Sequence, residues 1–111
     1  MIEDRMFPVL DNLLTQTSKR QQVLAANVAN IDTPGYRTKD VTFAAELDGN
    51  LDMSSRVIEV ETKEKGNGNN VDLDRELTEI TKNGLQYVTL VQYLNQRIKT
   101  LRAAISEGGK V

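Results

Sequence analysis

The chain contains no cysteine, no histidine and no tryptophan. Without cysteine there is no disulfide framework, no thiolate nucleophile and no thiolate metal site. Without histidine the commonest general base and metal ligand is missing. Aromatic residues are 5% of the chain, so leucine, valine, isoleucine and alanine must do the packing. No basic excess exists: 14 Lys and Arg face 16 Asp and Glu, for a net charge of −2. A nucleic-acid binder needs a basic face to displace counterions, and none is indicated. No apolar run approaches the roughly 18 residues that a membrane helix requires. Met1-Ile2-Glu3-Asp4-Arg5 carries two acids and leads into no apolar stretch, unlike a secretory signal. The expectation is a cytoplasmic chain, or one exported without a cleaved signal peptide.

What is present divides into three parts within 111 residues. In the first, residues 1–35, Phe7, Leu10, Leu14, Thr17, Gln21, Leu24, Val28 and Ile31 alternate in steps of three and four. This heptad seam predicts a helix from about Pro8 to Asn30, with two polar steps at Thr17 and Gln21. Pro8 fits only a first turn. Asp32-Thr33-Pro34-Gly35-Tyr36 is a stop signal, with Pro34 and Gly35 suited to the two central positions of a type II turn.

The second part, residues 36–71, is expected to be extended, irregular or briefly β. Val41, Phe43 and Leu47 form a short apolar patch, Arg56 to Thr62 suits a strand or hairpin arm, and Gly66 to Asn70 reads as a flexible linker. In the third part, residues 72–111, Leu73, Leu77, Ile80, Gly84, Tyr87, Val91, Leu94, Ile98, Leu101 and Ile105 again alternate in steps of four and three. Asp72 suits an N-cap, and Gly108-Gly109 a stop. The predicted helix has about 35 residues and a length of about 50 Å.

The fold class is therefore mainly α. Two long heptad helices form a coiled-coil-like pair, and parts one and three make one discontinuous packing domain. The second helix outreaches the first by about a dozen residues, or about 18 Å. Its apolar seam continues over that overhang, and exposed seams find partners. The alternative is a monomeric hairpin with the middle segment folded over the seam. Thr17, Gln21 and Gly84 weaken the seam locally and could set register or admit close approach.

Candidate chemistry is sparse. Asp48, Asn50, Asp52, Ser54 and Glu59 fall at calcium-loop spacing, but Met53 stands where glycine is needed and no helix precedes the loop. Asp72, Asp74 and Glu76 read as capping and dipole compensation. The Gly66–Asn70 run lacks the Lys-Ser/Thr of a phosphate loop. Ser18, Ser54, Ser55 and Ser106 have no histidine to activate them. No catalytic, cofactor or metal residue is assigned.

Leu24-Ala25-Ala26-Asn27-Val28-Ala29-Asn30-Ile31-Asp32-Thr33-Pro34-Gly35-Tyr36 resembles the N-terminal signature of bacterial flagellar rod and hook axial proteins. Tyr36 to Phe43, Asn70 to Leu77 and Leu101 to Ile105 are also similar to segments of a short, proximal rod member. Residues 48–69 match nothing comparable. The resemblance implies a structural subunit, not an enzyme, whose terminal segments pair and pack helically around an export channel. Its implied partners are copies of itself, the rod protein FlgC, the adaptor FliE, the membrane-ring protein and the flagellar type III export apparatus, with no nucleic acid and no small-molecule substrate. The implied location is the periplasmic rod of the basal body. The residues matching the signature are Asn27, Asn30, Thr33, Pro34, Gly35 and Tyr36. The heptad nominates Leu10, Leu14, Leu24, Val28, Leu77, Ile80, Tyr87, Val91, Leu94, Ile98 and Leu101 for subunit packing. The alternatives are another rod subunit such as FlgC, or a cytoplasmic coiled-coil adaptor or export chaperone.

Overall fold

A computed structural model describes residues 6–43 and 55–108. The order is helix α1 (Met6–Ala29), strand β1 (Lys39–Phe43), strand β2 (Ser55–Glu59) and helix α2 (Leu73–Gly108). The fold is mainly helical, with a short antiparallel pair of strands between the long helices. The molecule measures 72 × 29 × 14 Å, a rod rather than a ball.

α1 has 24 residues, with Pro8 in its first turn, where the missing N–H costs nothing. Its end winds down through short-range bonds: the Asn30 amide donates to Ala26 and Asn27, and Ile31 donates to Val28. The Asn30 side chain also donates to the Ala26 carbonyl at 2.8 Å, satisfying a terminal acceptor. α2 has 36 residues. Asp72 caps it, its carboxylate accepting from the Asp74 and Arg75 amides at 3.0 and 3.4 Å. Four threonines of α2 turn their hydroxyls back onto their own helix. Thr78, Thr81, Thr89 and Thr100 donate to the carbonyls four residues earlier at 2.8–3.0 Å.

The helices are antiparallel, because partners descend along α2 as they ascend along α1. Thr17 meets Asn83, Arg20 meets Glu79, and Asn27 meets Glu76. At 1.5 Å per residue this register sets Met6 level with about residue 94, so the last dozen or so residues of α2 extend past α1. β1 and β2 pair in the register Lys39–Glu59 to Phe43–Ser55. A lone two-stranded ribbon is marginal in water. This one leans on α1 through buried Val41 and a 2.8 Å bond from Lys19 Nζ to Ser55 Oγ. The short β element expected in the middle segment is this ribbon. Leu47 and the calcium-like positions 48–54 lie outside the described residues.

The core is unusual in composition. Among the described residues four buried side chains are apolar, Leu10, Leu24, Val41 and Val71. Eight are polar: Gln16, Thr17, Asn27, Thr38, Asn69, Asn70, Glu76 and Asn83. Two sequence expectations change here. The Gly66–Asn70 run is no flexible linker, since Asn69 and Asn70 are fully buried and hydrogen-bonded. Glu76 is no exposed dipole-compensating acid either; its side chain is 0% exposed.

The α2 seam is also displaced. Where α2 lies against α1, the buried α2 positions are Glu76 and Asn83, each one residue before seam members Leu77 and Gly84. Leu77 and Tyr87 are correspondingly half out in solvent. The cause is hydrogen bonding at the α2 start: Glu76 is drawn inward by Asn27 of α1 and by Thr38 just before β1, which turns this face of the first turns toward α1.

Candidate functional site

Two features stand out, a polar clasp around the Pro-Gly turn and an uncovered length of α2. The clasp begins with Pro34 and Gly35. Gly35 adopts φ +76°, and the Tyr36 amide donates to the Thr33 carbonyl at 3.2 Å, closing the turn. A Cβ at Gly35 would meet nothing within 4 Å, so only backbone strain opposes a side chain there. Gly35→Val is expected to cost about 1–2 kcal/mol, the usual strain of a left-handed residue, and more than Gly35→Asn. Thermal melts of the two variants check this; equal losses would exclude backbone strain as the cause.

The turn is held from two sides. The Gly35 amide donates to the Asn67 carbonyl at 3.0 Å. Asn69 Nδ2 donates to the carbonyls of Asn30 and Thr33 at 2.9 and 2.8 Å, and its Oδ1 accepts from the Val71 amide. Asn70 Oδ1 accepts from the Thr38 amide at 2.6 Å, while its Nδ2 donates to Val60 and its carbonyl accepts from Thr62 Oγ1. Residues 67–71 therefore act as a strap across the end of α1.

At the centre lie Asn27 and Glu76. Asn27 Oδ1 accepts from the Lys39 amide at 3.0 Å and from the Tyr36 hydroxyl at 3.1 Å. Its Nδ2 donates to the Lys39 carbonyl at 2.7 Å and to Glu76 Oε2 at 3.0 Å. All hydrogen-bonding capacity of this buried amide is thus used. Glu76 Oε1 accepts from Thr38 Oγ1 at 2.5 Å and from Arg75 Nη1 at 3.0 Å. Burial first, and then the Glu76 charge, raises the Tyr36 hydroxyl above its ordinary pKa, so it stays protonated and donating. Lys39 Nζ sits 4.2 Å over the Tyr36 ring.

Beside the clasp, Arg20 forks onto Asp40 at 2.8 and 3.0 Å and reaches Glu79 at 2.7 Å. Arg75 approaches Asp40 at 3.6 Å. One α1 cation thus ties β1 to α2. The bond to Asp40 is the main reason that the Arg20 pKa is raised, against the lowering effect of burial, with Glu79 adding to the rise. Burial pushes the Asp40 carboxyl up. The Arg20 and Val41 donors, with the charges of Arg20 and Arg75, outweigh this and hold it below its ordinary value. A depressed carboxylate contributes stability that is complete above its unfolded value, about 3.9, and lost as pH falls through the lower folded value. Asp40→Asn is therefore expected to lower stability at neutral pH and flatten its decline in acid. Melts between neutral pH and acid check this; an acid slope as steep as the parent's would exclude Asp40 as a contributor.

The nominated packing residues fall into two groups. Leu10 and Leu24 are buried and Leu14 and Val28 half-buried on α1, facing the inside of the pair. On α2, Ile80, Val91, Leu94, Ile98 and Leu101 are half-buried, Leu77 and Tyr87 exposed. Leu85, Val88 and Ile105 are also exposed, at 65%, 52% and 74%. The seam does not single out Leu85 or Val88; their large exposed side chains are visible only in the folded chain. Nor does apolar periodicity find Arg20, Thr38, Asp40, Asn69, Asn70, Glu76 or Asn83. The signature match includes Asn27, Asn30, Thr33, Pro34, Gly35 and Tyr36, which the structure gathers at the clasp.

Among the described residues no group of three His, Cys, Asp or Glu could hold a metal ion, and no helix is long and apolar enough to cross a membrane. Residues 13–37 match the family model described as flagella basal body rod protein. Over 120 residues the chain is 35% identical to the flagellar basal body rod protein FlgB of Bacillus subtilis, covering 91% of this chain and 92% of that one. It is 33% identical to FlgB of Escherichia coli K12, covering 86% and 88%. The FlgB of Proteus mirabilis HI4320 is 28% identical over 95% of this chain and 96% of its own.

Proposed function

This chain belongs to the FlgB family of flagellar basal body rod proteins and is a structural rod subunit rather than an enzyme; we propose that it packs in the proximal rod through its two terminal helices, around the export channel. Residues 1–35 and 72–111 act as one packing unit. Leu10, Leu14, Leu24 and Val28 join the helices of one subunit. Leu77, Ile80, Tyr87, Val91, Leu94, Ile98 and Leu101 meet neighbouring subunits. The neighbours are further copies, the rod protein FlgC, the adaptor FliE and the membrane ring. The chain reaches its place on the periplasmic side through the flagellar type III apparatus.

The observation that supports this reading is the length mismatch. α2 has 36 residues against 24 in α1, and large apolar side chains on it stand in solvent in the single chain. A helix that long, paired over only part of its length, has apolar surface left for assembly. The deciding experiment is deletion and complementation, followed by electron microscopy of isolated basal bodies. Rings without a rod, restored by this chain, are expected. Intact rods in the deletion strain would refute the role.

A further inference from the structure

We propose that Glu76, Glu79 and Asn83 form a register lock, a set of polar rungs that fixes how far α2 slides along α1 and so fixes the length of its free end. The need for such a device follows from the heptad itself. Beyond Gly84 the α2 seam is apolar at Tyr87, Val91, Leu94, Ile98, Leu101 and Ile105. α2 is 12 residues longer than α1, from 36 against 24. A slip of one heptad, about 10.5 Å, toward the α2 C-terminus would keep every turn of α1 covered by helix. Apolar contact alone discriminates poorly between the two alignments, because apolar side chains recur along α2 in both.

The polar rungs do discriminate. Asn83 Nδ2 donates to the Thr17 carbonyl at 2.8 Å and to Gln21 Oε1 at 2.7 Å. Glu79 accepts from Arg20 at 2.7 Å, and Glu76 accepts from Asn27 at 3.0 Å. All three lie in the first third of α2, and each meets α1 at its own level. In the slipped alignment Leu90 would face Thr17 and Gln21, and Gln86 would face Arg20. Arg20 would thereby exchange a carboxylate for a neutral amide, and Asn27 would meet Asn83 in place of Glu76. The loss of both carboxylate acceptors, and of the Asn83 donor at Gln21, makes that alignment costly. A polar residue in an otherwise apolar seam specifies register at the expense of stability, and these rungs fit that role. The opposite slip would set Arg20 against Asp72 and Asn27 against Asn69, beyond the start of the helix.

The test uses the full chain with spin labels at two exposed positions, Gln22 and Lys99. In the native register these lie about 31 Å apart along the axis, and one heptad of slip shortens that by about 10 Å. The parent should give one distance. Asn83→Leu, for which a hollow of about 250 Å³ lined by Thr17, Gln21 and Gly84 leaves room, should add a second population at the shorter distance. Glu79→Leu with Asn83→Leu should enlarge it. Asn83→Leu changes no charge, so it carries the test if the double variant loses its helical circular dichroism. A single unchanged distance in Asn83→Leu would overturn the lock and leave register to the strap at residues 67–71. Loss of helix in Asn83→Leu would overturn it as well, since Asn83 would then serve folding rather than alignment.

Discussion

Glu76→Ala is expected to lower the folding free energy by about 3–5 kcal/mol, the range found when one partner of a buried charged network is removed. The loss has two sources. Asn27 Nδ2 and Thr38 Oγ1 donate to Glu76 inside the molecule, and alanine leaves both with a poorer set of partners. An unsatisfied buried donor costs about 1–3 kcal/mol. Arg75 also loses its 3.0 Å acceptor. The chain has little to offset this, because four apolar side chains form its buried core among the described residues. Small domains have net stabilities of a few kcal/mol, so the variant is expected to be largely unfolded at 37 °C. Glu76→Gln should do less harm, keeping an acceptor of the same shape. Urea titration followed by circular dichroism measures both; a midpoint within error of the parent's for Glu76→Ala would remove Glu76 from the centre of the fold.

Leu101→Asp is expected to abolish motility while leaving the isolated chain as stable as the parent, within about 0.5–1 kcal/mol. The register places Leu101 about two turns beyond the level of Met6, so no α1 side chain loses a contact. A carboxylate there would instead have to be desolvated wherever another subunit covers the overhang. Leu94→Asp should also stop motility, but it lies level with the start of α1 and would disturb the monomer too. Leu101 is the cleaner probe for that reason. Swimming cells that carry Leu101→Asp at normal levels would sink the packing reading of the overhang.

The helices and the turn were legible in the sequence because their causes are local. A seam in steps of three and four announces a helix wherever it occurs, and Pro34-Gly35 announces a type II turn by backbone geometry alone. The clasp was not legible, because many of its partners lie 32 to 49 residues apart and are joined by side-chain hydrogen bonds that leave no periodic trace. Asn69 and Asn70 stand in a Gly-Asn run whose composition suggests a linker, yet both are buried. Glu76 stands where any helix welcomes an acid. A competing heptad through Glu76, Ile80, Asn83, Tyr87, Leu90 and Leu94 describes the inward face better than the one through Leu77 and Gly84. An apolar criterion passes it over because its early members are polar.

The four threonines that bond back to their own helix bear on what another subunit would meet on α2. A hydroxyl whose proton is already engaged by Asp74, Leu77, Leu85 or Gln96 can be covered without leaving a donor stranded. To an approaching surface, each of Thr78, Thr81, Thr89 and Thr100 then offers chiefly its methyl group. The exposed face of these turns is in this way already suited to dry contact.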